Sequence, residues 1–150
     1  MIENYPIETF LCHRRSMKLI DKLLSYTEIS VDVEANITKD SVFLEKGGVP
    51  AWIGIEYAAQ AVATLSGVRA LLNNENIKLG LLLSGRHYHC KQPYFLLGQK
   101  LVIHAQENFN DGKMGAYRCT IMNENKEEIA SVSLNAYVPD KLEDIGLRTS

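Results

Sequence analysis

The stretch Gly47-Gly48-Val49-Pro50-Ala51-Trp52-Ile53-Gly54-Ile55-Glu56-Tyr57-Ala58-Ala59-Gln60 opens the longest apolar segment of the chain and carries a single carboxylate. Pro50 suits the first helical position, where a backbone N–H would have no partner within the helix. The segment then runs to about Leu72, ahead of Asn73-Asn74, roughly 35 Å of helix at 1.5 Å per residue. It is apolar nearly all round, which predicts a helix enclosed by other structure. On a helical wheel the face of Glu56 also holds Trp52, Ala59, Gln60, Ala63, Gly67 and Ala70. Small residues on that face let a sheet approach closely, and Glu56 with Gln60 forms its polar pair, one turn apart. An ionised carboxylate buried there must be paired, open to a cleft or held protonated.

Outward from the helix the periodicity changes. Ser30 to Thr38 alternates Val31, Val33, Ala35 and Ile37 with polar residues, the pattern of a half-buried strand. Asp40 to Gly48 reads as a loop. After the helix come extended runs at Leu79–Leu83, Arg86–Lys91, Lys100–Glu107, Ala116–Met122 and Ala130–Val138, separated by turn residues such as Asn110-Asp111-Gly112 and Asn123-Glu124-Asn125. Thr9 to Leu24 carries an apolar pattern interrupted by His13, Arg14 and Arg15. One helix wrapped by a curved antiparallel sheet of five or six strands is the economical α+β arrangement.

The 150 residues fit one domain, with a polar C-terminal tail from about Pro139. A net charge of -2 leaves no basic footprint for nucleic acid. Glu56, Gln60 and Arg69 make a membrane span costly within the apolar run, and the acidic start broken by Pro6 does not read as a signal peptide. Three cysteines without CxxC spacing suggest reduced thiols and a cytoplasmic location.

For chemistry, Gly47 and Gly48 precede the helix start, where free N–H groups and the positive end of the helix dipole can polarise a carbonyl oxygen. A substrate-binding role follows for both glycines, against the plainer reading of a flexible turn. Glu56 lies about two turns further on and is the candidate acid/base group. Its plainer reading is a carboxylate satisfied by Gln60, Arg14 or Arg15, or simply exposed. His87, His89 and Cys90 look like metal ligands, but on a strand Cys90 points away from the two histidines, so no metal site is assigned. His104 reads as structural, Cys90 has no identifiable base, and Trp52 and Tyr57 read as core or interface aromatics.

These residues resemble a family, the hotdog-fold 3-hydroxyacyl-acyl-carrier-protein dehydratases. Leu11-Cys12-His13-Arg14-Arg15-Ser16-Met17-Lys18-Leu19-Ile20-Asp21 is similar to their L-P-H-R-x-P-F-x-x-x-D segment, with Cys12 and Ser16 replacing prolines. Pro50 and Glu56-Tyr57-Ala58-Ala59-Gln60 resemble P-G-x-x-x-x-E-A-x-A-Q, with Ala51 replacing Gly. Gly85, Pro93 and Gly98 to Leu101 resemble the G…P…G-D-x-L region with shifted spacing. The helix motif is closer still to a dehydratase-like branch associated with aryl polyene pigment synthesis.

The resemblance implies a hotdog fold and dehydration of a 3-hydroxyacyl group on acyl carrier protein to a trans-2-enoyl group, without metal or organic cofactor. It also implies Glu56 as catalytic, Gln60 as a motif residue beside the substrate, and a homodimer or a heterodimer with another hotdog subunit. One departure stands out: the usual catalytic His position is occupied by Val42. His13, in a matched segment and carrying an imidazole that titrates near neutrality, is the candidate replacement, against the plainer reading of a structural histidine bonded to backbone. Two rival readings follow, a hotdog thioesterase in which Glu56 activates water and a silent subunit that completes a partner's site.

Overall fold

The computed structural model describes residues 2–10, 18–75 and 81–137. Two short 3₁₀ turns, Ile2–Asn4 and Ile7–Thr9, precede the strands β1 (Lys22–Tyr26) and β2 (Ser30–Asn36). A two-residue strand β3 (Val49–Pro50) leads through a 3₁₀ turn, Ala51–Ile53, into the helix α1 (Gly54–Leu72). Then follow β4 (Leu81–Cys90), β5 (Tyr94–Phe95), β6 (Lys100–Asn110), β7 (Met114–Met122) and β8 (Glu128–Tyr137). Six strands form one sheet in the order β1-β2-β6-β7-β8-β4, and β3 pairs with β5 in a separate ribbon. Every pairing is antiparallel. One long helix against a single antiparallel sheet is the hotdog architecture that the sequence motifs imply.

Alternation sets the register. Val33, Ile103, Ile121 and Ala130 stand in one cross-strand row, and Val31, Ala105, Cys119 and Val132 in another. All eight side chains are buried, so both rows belong to the face that meets Ala58, Ala61, Leu65 and Val68 of α1 in the core. Register slips on β1, β4, β6 and β7 add local twist, which lets a six-stranded sheet curl around one helix. At the far end Phe10 is buried against Gly67, where a Cβ would lie 2.0 Å from Phe10 O. No helix among the described residues is long and apolar enough to cross a membrane.

The helix differs from its sequence reading in two respects. Pro50 is not its first residue but the cap of the 3₁₀ turn, with φ -56° and ψ 142°. Nor is α1 enclosed on all sides. Ala58, Ala61, Leu65 and Val68 are buried, whereas Glu56 is exposed and Ala59, Gln60, Ala63 and Ala70 are only half-buried. The face read from the wheel therefore lies mostly outward, with Gly67 its buried member against Phe10. A helix apolar nearly all round gives no contrast by which to tell a core face from an open one.

A candidate active site at the start of the helix

The loop before the helix is a tight backbone construction. Glu45 and Gly48 exchange reciprocal hydrogen bonds, Glu45 N–H to Gly48 O at 2.8 Å and Gly48 N–H to Glu45 O at 3.1 Å. Gly48 has φ +124°, and a Cβ there would lie 2.4 Å from Phe95 O, so the position requires glycine. Its amide is therefore engaged within the loop rather than open to a substrate. Gly47 is exposed beside the ring of Tyr94.

Just beyond, Ala51 N–H donates to Pro93 O at 2.9 Å and Gly54 N–H to Ala51 O. The amide of Trp52 is an open donor among the described residues, at the positive end of the helix dipole. From β4 the Tyr88 hydroxyl donates to Ala51 O, and its ring fills the space left by Gly54. Burial pushes the Tyr88 phenol well above its usual range, so it remains a neutral donor. This contact ties the edge strand to the first turn of the helix.

Glu56 projects from that first turn, exposed and without a hydrogen bond among the described residues. Trp52, one turn before it, is 64% exposed and meets Phe43 at a ring-centroid distance of 6.4 Å. Gln60, one turn after it, accepts a hydrogen bond from Leu19 N–H at 2.8 Å. Its amide oxygen thus anchors the strand-entry segment to the helix. His13 and the rest of the matched segment 11–17 lie outside the described residues, as does the tail from 138 onward.

A cleft of about 560 Å³ opens beside Leu19, Val42 and Tyr57. Val42, at the usual histidine position, lines it, but Glu56 of the same chain does not. The structure thus gathers Gly47, Gly48 and Glu56 around the helix start, with Gln60 one turn on, and leaves Glu56 outside the cleft that Val42 marks. Sequence reasoning took Tyr57 as a core or interface aromatic and gave no role to Tyr88, which stands in the polar run Arg86-His87-Tyr88-His89-Cys90. Nothing short of coordinates shows where their hydroxyls go.

His104, Cys90 and Cys119 take structural places, while His87 and His89 are exposed on β4. His104 Nδ1 and Asp32 Oδ1 pair at 2.9 Å between neighbouring strands, and Ser25 Oγ donates to the other Asp32 oxygen at 2.9 Å. The serine faces the carboxylate rather than the imidazole, so this is no nucleophile arrangement. Cys119 is buried, which pushes its thiol up to about 12, and Cys90 Sγ donates to Gln92 O. Among the described residues no group of three or more His, Cys, Asp or Glu side chains is placed to hold a metal ion.

Comparison with known proteins gives the site a context. In the dehydratase heterocomplex ApeI:P from Xenorhabdus doucetiae, the matching chain is 28% identical, with a TM-score of 0.87 over 94% of this chain and 95% of that one. The smu.793 protein of Streptococcus mutans UA159, bound to acetyl CoA, matches with a TM-score of 0.66 at 17% identity, covering 87% of this chain and 97% of that one. The PaaI protein of the E. coli phenylacetic acid degradation operon matches at 0.61 and 17% identity, over 77% of this chain and 80% of that one. These last two establish the fold alone. A search of curated sequences returned no match. The family model for ApeP dehydratase matches residues 5–146, nearly the whole chain, and this protein belongs to the ApeP-like dehydratase family.

Proposed function

We propose that the protein removes water from a 3-hydroxyacyl thioester carried on acyl carrier protein, giving the trans-2-enoyl thioester, within aryl polyene synthesis. The observation that carries this reading is Glu56, an exposed carboxylate in the first turn of α1, close to an open helix-start amide. Removing the proton α to a thioester requires a base at C2 and a donor to the carbonyl oxygen where negative charge develops. Glu56 supplies the base. Trp52 N–H supplies the donor, with the Gly47-Gly48 loop shaping the approach, because the Gly48 amide is already bound to Glu45 O.

The active form in this proposal is a pair of hotdog subunits. Glu56 faces out of its own chain beside an exposed Trp52, and the cleft at Val42 lacks a carboxylate from the first turn of its own helix. A second subunit, either another copy or a different chain of the kind a heterocomplex such as ApeI:P pairs, brings one chain's Glu56 to the other's cleft. The apolar Val42 in that cleft also favours one alternative, a subunit that is silent by itself.

The test is enoyl formation from a 3-hydroxyacyl carrier, by the protein alone and with a second hotdog subunit. Glu56→Gln keeps the shape and removes the titrating group, with an expected loss on the order of 10²–10⁴-fold in rate. His13→Ala run in parallel decides whether the imidazole shares the chemistry. Free acid as the product, in place of enoyl thioester, would replace dehydration by hydrolysis. An undiminished rate in well-folded Glu56→Gln would remove this residue from the mechanism.

A further inference from the structure

The cleft at Val42 is nearly self-satisfied. Lys18 Nζ is held by Glu8 at 3.0 Å, and Asp21 Oδ2 accepts from Asn36 N–H at 2.7 Å. Ser41 Oγ accepts from Thr38 N–H at 2.8 Å, and Thr38 Oγ1 accepts from Asp40 N–H at 3.2 Å. Asp40 is exposed to solvent, so Tyr57 is the exception among the buried groups. Its side chain is 2% exposed, and its ring packs edge-on against Phe95 with centroids 5.6 Å apart. The phenol lines the cleft, with no hydrogen-bond partner for its hydroxyl among the described residues. Yet no side-chain oxygen or nitrogen that is completely enclosed lacks a partner. The hydroxyl therefore reaches the surface of the cleft, which Asp21 also lines.

A phenol hydroxyl that opens on a cleft, without a partner among the described residues, is free to donate to a ligand seated there. At about 560 Å³ the cleft is within the range of small-molecule sites and admits an acyl thioester segment. We propose that Tyr57 is a further catalytic residue of this reaction, donating its phenolic proton to the 3-hydroxyl oxygen as that oxygen leaves. The inference rests on the dehydratase reading above.

The step balances without a co-reactant. The C2–H bond breaks, its proton passes to the Glu56 carboxylate of a facing copy of the chain, and its electron pair becomes the C2=C3 bond. The C3–O bond breaks with its electron pair on oxygen, which takes the Tyr57 proton and departs as water. The protonated carboxyl then returns its proton to the phenolate through solvent, restoring both groups. Burial first, and then the Asp21 charge, raises the phenol well above its usual range. Departing hydroxide is a stronger base than a phenolate and takes the proton.

Consecutive helical residues project about 100° apart, so Tyr57 and Glu56 of one chain cannot address one substrate atom pair. Tyr57 serves its own cleft, and Glu56 serves the cleft of the neighbour.

Tyr57→Phe removes the hydroxyl and keeps the ring with its Phe95 contact. The assay uses the full chain, with its second subunit present, acting on a 3-hydroxyacyl thioester of pantetheine, and follows enoyl absorbance. We expect kcat to fall on the order of 10²–10⁴-fold with KM little changed. The melting temperature should be unchanged or slightly raised, since the lost hydroxyl held nothing. A Tyr57→Phe protein that turns over at the wild-type rate, while Glu56→Gln or His13→Ala does not, overturns the role of Tyr57 and leaves the dehydratase reading standing. A wild type that forms no enoyl product even with its second subunit removes that reading and the Tyr57 role together. A fall in kcat matched by a large fall in melting temperature would also overturn the proposal, because the hydroxyl would then be structural.

Discussion

At position 48 the backbone adopts φ +124°, and an added Cβ would sit 2.4 Å from Phe95 O, so a side chain there meets unfavourable backbone geometry and a collision with main chain. We expect Gly48→Ala to destabilise the protein by about 2–4 kcal/mol, combining backbone strain with overpacking. Thermal melting checks it, and a melting temperature equal to wild type would mean that the loop relaxes freely. Glu56 was legible in the sequence because a lone carboxylate in a long apolar run demands an explanation. Its neighbour Tyr57 was not legible. An aromatic among alanines has the pattern of core packing, and the ring is indeed packed, while the hydroxyl's lack of a partner depends on where Leu19, Asp21 and Val42 come to rest. The engaged amide of Gly48 was hidden for a related reason: a Gly-Gly pair reveals freedom of φ but not the carbonyl its N–H will find.

The helix is fastened at its C-terminal half by one ion pair. Arg69 Nη1 and Nη2 donate to the two carboxylate oxygens of Glu107 on β6 at 2.9 and 2.5 Å, and Nε donates to Glu28 O at 2.9 Å. The side chains are 27% and 9% exposed respectively. Burial raises the Glu107 carboxyl, but the hydrogen bonds from Arg69 and Asn110 and the Arg69 charge together outweigh it and hold the group below the usual carboxylate range. A carboxyl depressed in the folded state contributes stability above its unfolded pKa of about 4.3, and that contribution is lost as pH falls through the folded value. Arg69→Met should therefore destabilise at neutral pH by about 2–3 kcal/mol, less than for a fully buried pair because solvent reaches the guanidinium. The difference from wild type should shrink as pH is lowered below about 4. Melting curves across that range test both signs, and a pH-independent difference would assign the effect to packing alone. Among elements, β2 was plain from its alternation and the helix end from Asn73-Asn74. In contrast β1 was not, because Lys-Leu-Leu-Ser-Tyr has no alternation and its strand character comes from pairing with β2 across a bulge.

For the molecule as a whole, Trp52, Leu96 and Leu97 are all more than half exposed, and Glu56 stands on the open face of the helix. In the paired-subunit proposal a partner covers these groups. Light scattering at micromolar concentration should give at least twice the monomer mass, for the chain alone or with a co-expressed hotdog subunit. A clean monomer under both conditions would contradict paired subunits. A short sheet around one helix implied edge strands and apolar surface in need of cover, but not which side of the helix would be left open. The outer strands of the sheet add a limit to such association. The pairing of β4 with β8 slips between Leu82 and Ser84 and between Arg86 and His89, and His87 within that second slip turns left-handed at φ +56°. At the opposite border β1 spans five residues and is itself interrupted by a bulge. Neither border offers the long, flat ladder on which strands stack without end. Crowded in solution, these molecules should gather into closed, countable particles and resist growing into fibres.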